Sequence, residues 1–201
     1  RQRQMCIRDR DNTKLELEDD FSWNGRYYVY GYGKFQGSRT QLESAITLAY
    51  DTYGTVVDSN SKLVWKRYRS TQASIDGIVP VTSGDSIVNA VAAVSNYLGA
   101  DFNAVSYMEQ GHTAVETFDN ISGVHGISLT GITYEKALSY VGDGSPVIAR
   151  IGEDEYIIIT AYNSSEIAYI EASTGAQKTV SMNDAGKMFS QGGNIYVTYY
   201  K

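Results

Sequence analysis

The order of the short apolar runs constrains this chain most. From Pro146 onward, five runs of three to six residues follow one another, at 146–150, 156–160, 167–170, 178–180 and 194–199. They are rich in Val, Ile, Thr and Tyr and bounded by Gly, Asn, Asp and Ser, so each reads as a strand. A helical pattern near 183–189 precedes the last of them. Upstream the period is 3.6: Ile87, Ala90, Val91 and Val94 share one face of a helix over Ser86–Leu98, which Gly99 stops. One or two short helices are expected over 102–120, a strand at 126–129, and a helix from Thr133 through Tyr140. Helices first and an antiparallel sheet afterwards is an α+β order.

A smaller unit is expected over 15–69. Tyr27–Tyr30 reads as a strand, and Gly31, Gly33 and Gly37 as turn or bulge positions. Ser38 or Thr40 is placed to cap a helix bearing Leu42, Ala45, Ile46 and Ala49 on one face, ended by Gly54. Two strands, 55–58 and 63–67, flank the turn cluster Asp58-Ser59-Asn60-Ser61 and should pair as a hairpin. The expectation is a small β-α-β-β module, a linker at 70–80 and a larger domain over 81–201.

The net charge of -6 argues against a nucleic-acid partner, which needs a basic footprint. No apolar run approaches the roughly 20 residues that span a bilayer, so no membrane insertion is expected. The first ten residues, Arg1 to Arg10, carry no periodicity and read as a non-native assembly scar of a metagenomic reading frame within a 1–14 segment outside the fold. Cys6, the single cysteine, lies in that stretch. Without it the chain has no thiolate for metal binding, disulfides or nucleophilic attack. His112 and His125, with no third ligand beside them, read as helix-end and strand-start residues; no metal and no cofactor are expected. Seventeen tyrosines against five phenylalanines fit half-wet strand faces.

Three segments carry a resemblance to a known family. Ser86-Ile87-Val88-Asn89-Ala90 through Gly99 is similar to the nucleophile helix of the bacteriocin-processing, C-thirty-nine-like cysteine peptidases, with Ser86 where the Cys would stand. Gly144-Ser145-Pro146-Val147-Ile148 resembles their G-x-P-V-I strand. Glu155-Tyr156-Ile157-Ile158-Ile159-Thr160-Ala161-Tyr162 resembles their H-Y-V-V-V-T-G-Y strand, with Glu155 where His belongs. Tyr169-Ile170-Glu171-Ala172 follows, with Glu171 near the Asp position. The resemblance covers about 79–199. It implies a papain-like peptidase fold, with helices packed on an antiparallel sheet and the nucleophile at the N-terminus of a buried helix.

The same comparison implies a catalytically degenerate domain, because Cys, His and Asp are replaced by Ser86, Glu155 and Glu171. No counterpart of the family's oxyanion Gln occurs among Pro80–Asp85. Such degenerate domains resemble parts of exported, cell-surface proteins of gut Clostridia. The expectation is therefore a non-catalytic extracellular module for a peptide or cell-wall polymer, or a structural spacer. A residual hydrolase with Ser86 as nucleophile and Glu155 as base is the alternative; Ser86 or Asp85 as a plain helix cap is the simpler reading. A Glu155–Glu171 acid pair of the glycosidase kind is a further option that no other residue supports.

Overall fold

The computed structural model of the protein describes residues 26–67 and 70–201. The expected non-native stretch, the 1–14 segment and Cys6 lie outside the described residues.

The first unit is a four-stranded antiparallel sheet in the order β2-β1-β3-β4. It comprises β1 (Tyr27–Gly31), β2 (Lys34–Arg39), β3 (Thr55–Asp58) and β4 (Leu63–Lys66), with α1 (Leu42–Asp51) between β2 and β3. The expected β-α-β-β module thus has an additional strand, β2, where the sequence pattern predicts only glycine turns. Gly33 does make the hairpin turn, at φ 71°, and Gly37 sits at φ 134° beside a bulge between Val29 and Tyr30. Lys34–Arg39 still pairs along β1 because an edge strand tolerates polar residues and a glycine that a central strand would not. The cap expected from Ser38 or Thr40 falls instead on Gln41, which makes no side-chain capping bond. Leu42, Ala45, Ile46 and Ala49 are buried, as the period predicts, against Val29, Val56 and Trp65.

The second unit is a seven-stranded sheet in the order β10-β9-β8-β7-β11-β6, with β5 paired to the end of β8. Its strands are β5 (Ala73–Ser74), β6 (His125–Thr130), β7 (Val147–Arg150), β8 (Tyr156–Tyr162), β9 (Glu166–Glu171), β10 (Gln177–Ser181) and β11 (Ile195–Tyr200). Every pairing is antiparallel. The helices are α2 (Ser86–Tyr97), α3 (Ala104–Glu109), α4 (Ala114–Asp119), α5 (Tyr134–Gly142) and α6 (Met182–Gln191). This is the α+β arrangement expected from the order of elements. No helix among the described residues is long and apolar enough to cross a membrane.

Helix α2 is the centre of the larger unit. The sequence pattern gives it one apolar face, yet Asn89 through Ser95 are all buried. A helix covered on all sides belongs to an interior, here between the sheet and helices α3 and α4. The stretch 70–80, expected as a linker, is tied into this body. Ala73 and Ser74 pair with Tyr162 and Ala161, Ile75 N–H donates to Thr160 O at 2.8 Å, and Ile75 and Ile78 are buried. The two sheets also share one apolar core. Trp65 Nε1 donates to Lys136 O at 3.0 Å, and the Tyr200 hydroxyl donates to the buried Asp58 carboxylate at 3.2 Å.

Candidate functional site

Ser86, at the N-terminus of α2, abuts the start of β8, while Glu155 precedes β8 and Glu171 ends β9. Asp85 is the N-cap but makes no side-chain capping bond, and Ser86 is the first helical residue. Ser86 does not cap its own helix; it reaches across to strand β8. Its Oγ accepts from Tyr156 N–H at 2.8 Å and donates to Tyr156 O at 3.3 Å. A hydroxyl has one proton to give, and here it points at a backbone carbonyl rather than at a base. The same Tyr156 carbonyl also accepts Ala172 N–H at 3.1 Å.

Asn89 lies one turn further along the same face of α2. The sequence reading passed over it, although a carboxamide three residues after Ser86 in an otherwise apolar helix is the kind of signal that marks a buried polar tie. It is 2% exposed. Its Oδ1 accepts from Gly84 N–H at 2.8 Å and its Nδ2 donates to Ala172 O at 3.1 Å. Ser86 therefore fastens α2 to β8, and Asn89 fastens it to the residue that follows β9.

Glu155 and Glu171 are not brought into a common site with Ser86 through hydrogen bonds. Among the described residues, none joins Ser86 Oγ to Glu155. Glu155 is exposed at the β7–β8 turn. Its backbone carbonyl accepts Ile151 N–H at 2.9 Å, and its carboxylate lies close enough to its own turn that a methyl on Gly152 would come within 3.3 Å of Oε2. Glu171 accepts from Lys178 Nζ at 2.7 Å and from the Thr174 hydroxyl at 2.7 Å. Those two donors hold its carboxyl below the usual carboxylate range, and Glu171 in turn raises the Lys178 ammonium. An acid kept ionised by a lysine is a poor proton shuttle near neutral pH. The chain entering α2 also covers this corner. Gly175, at φ 72°, lies so close to Pro80 that a methyl there would come within 2.9 Å of Pro80 Cβ.

Open space lies elsewhere. A groove of about 460 Å³ runs between Ser74–Ile78 and the strands β8–β10, and another of about 540 Å³ lies beside α2 at Asn96 and Phe102. Neither is lined by Ser86, Glu155 or Glu171. The histidines are equally ordinary. His112 stacks on Tyr107 at 3.8 Å, and His125, the first residue of β6, stacks on Tyr200 at 5.0 Å with Lys62 Nζ 2.9 Å from its Nε2. Among the described residues, no group of three or more His, Cys, Asp or Glu is placed to hold a metal ion.

No protein-family model and no curated protein matches the sequence. Among solved structures, the chain is similar to a crystal structure of a Bacillus anthracis protein provisionally described as a C39-like peptidase. The TM-score is 0.54 and the identity 11%, covering 66% of this chain and 98% of that one. At that identity the likeness is one of fold, and the chain carries a C39-like fold.

Proposed function

We propose that this chain is a non-catalytic, peptidase-like domain of an exported or cell-surface protein, and that it serves as a binding or structural module. The observation that carries the reading is the Ser86 hydroxyl, engaged on both its donor and acceptor sides by the Tyr156 backbone. A serine nucleophile needs a base within hydrogen-bond reach of its proton. Ser86 gives its proton to a carbonyl, Glu155 folds onto its own turn, and Glu171 is committed to Lys178. The papain-like features that survive are therefore architectural: a buried central helix whose N-terminus is set against the sheet. In this reading, partners such as a peptide or a cell-wall polymer engage the outer surfaces and not the ancestral cleft.

The test is covalent labelling with a fluorophosphonate serine-hydrolase probe, together with turnover of peptide and ester substrates. No labelling and no turnover above the buffer rate are expected. Labelling that disappears in Ser86→Ala would overturn the proposal in favour of a residual hydrolase.

A further inference from the structure

Two tyrosines of the four-stranded sheet adopt a backbone conformation that bulky L-residues avoid. Tyr32, in the β1–β2 turn, has φ 51°, and Tyr53, in the α1–β3 turn, has φ 53°. Left-handed geometry is the province of Gly and Asn, yet both positions carry a large ring, and both rings face solvent, at 66% and 51% exposure. They are also brought together. Tyr32 N–H donates to Thr52 O at 3.2 Å, and the ring centroids lie 6.1 Å apart at 41°. Gly31 and Gly54 permit the close approach of the two turns, since a methyl on Gly31 would collide with Thr52 and one on Gly54 with the Tyr30 carbonyl.

The pair is held rigid from behind. The Arg67 guanidinium sits 3.9 Å from the Tyr53 ring centre and 4.1 Å from that of Tyr50, and its Nη1 donates to Tyr50 O. The Tyr32 hydroxyl donates to Asp51 O at 3.2 Å. A fixed, exposed, amphipathic surface built at the expense of backbone strain fits recognition, because little conformational freedom is left to lose on binding.

From this we infer that Tyr32 and Tyr53 form a platform for a neutral glycan. The electron-rich ring faces suit the C–H faces of pyranose rings. Asp51, whose backbone carbonyl accepts the Tyr32 hydroxyl, and Lys34, two residues after Tyr32, are both exposed and can meet sugar hydroxyls. The cation at Arg67 is already engaged, and the chain's net charge is -6, so a polyanion is a poor fit. The platform is also too small to join two proteins. Even fully covered, the exposed parts of the two tyrosines offer roughly 200–300 Å², against roughly 800 Å² per partner in a stable protein interface. This site lies outside the peptidase-like unit and stands whether or not Ser86 is inert.

The test uses the whole chain. Affinity electrophoresis through hydroxyethyl cellulose and co-sedimentation with purified peptidoglycan present neutral and cell-wall glycans separately; phosphatidylcholine vesicles present a membrane interface. Retardation by the neutral hydroxyethyl cellulose is expected, weakened at least tenfold in a Tyr32→Gly/Tyr53→Gly variant. Glycine relieves the left-handed strain, so lost binding with an undiminished melting midpoint separates recognition from unfolding. If the double variant is unfolded, Tyr32→Gly alone decides. No retardation by hydroxyethyl cellulose, binding unaffected by removing the rings, or binding to peptidoglycan or vesicles in place of the neutral glycan would overturn the inference.

Discussion

Replacing Ser86 by Ala separates a nucleophile from a structural tie by the sign of its effect on stability. Removing the hydroxyl leaves Tyr156 N–H without its 2.8 Å acceptor and forfeits the weaker 3.3 Å bond to Tyr156 O. Tyr156 O keeps Ala172 N–H, so the main cost falls on one amide. That amide belongs to a partly exposed residue, and water can recover part of its bonding. An unmade bond of this kind costs about 1–2 kcal/mol. For a chain of this size that corresponds to a fall of about 2–8 °C in melting midpoint. A catalytic group usually gives the opposite sign or none, since active sites are kept at some cost to stability. Urea and thermal unfolding, followed by circular dichroism, would make the measurement. An unchanged or raised midpoint for Ser86→Ala would refute the argument that this hydroxyl is a tie between α2 and β8.

Asn89→Ala should be more damaging, by about 2–4 kcal/mol, because the Ala172 carbonyl it releases is buried and a small void is left in α2; a change under about 0.5 kcal/mol in urea unfolding would contradict this. Tyr140 has a fully buried hydroxyl without a partner among the described residues, and burial pushes its ionisation well above the ordinary range. Tyr140→Phe should therefore be neutral or stabilising by up to about 1 kcal/mol, and clear destabilisation in the same assay would reveal a missed bond. Burial pushes Tyr199 up to about 12, with the Ser145 hydrogen bond opposing it. Its folded pKa lies above the unfolded value of about 10. Its contribution is thus complete below pH about 10 and lost as pH rises toward about 12. Melting midpoints should fall across that window, with a shallower slope in Tyr199→Phe, and identical slopes would count against it.

Much of the larger unit was readable in the sequence because its elements are locally self-consistent. The strands at 147–150 and 156–162 are short, β-branched and bounded by turn residues, and the structure places them within one or two residues of the expected bounds. The helix at 86–97 was equally plain, but its complete burial was not, since Ala92, Ala93 and Ser95 are small enough to pass for a polar face. Strand β2 escaped because Lys34–Arg39 owes its extended form to pairing with β1 and not to its own composition. At the candidate site, Ser86, Glu155 and Glu171 were visible as departures from the motifs of the family that the sequence resembles. What Ser86 does instead was not visible, because its partners lie 70 residues away. Nor could the meeting of Tyr32 with Tyr53 be foreseen, since it depends on two turns closing over Gly31 and Gly54.

The position of β11 within its sheet has a consequence for biosynthesis. The strand at 195–200 is not at an edge; it separates β7 from β6, and its register pairs Tyr200 with His125 and Tyr196 with both Leu129 and Ala149. While the ribosome is still making residues 131–194, β6 has no neighbour on that side and β7 lacks one of its two. Their backbone edges stay unpaired, and the neighbouring side chains Ile127, Leu129 and Ile148 are incompletely covered, until β11 arrives. Non-local pairing of this kind slows folding and leaves strand edges open to wrong partners. A nascent chain halted before Ile195 should accordingly be held by chaperones or degraded, and release of the last strand should convert it in one cooperative step.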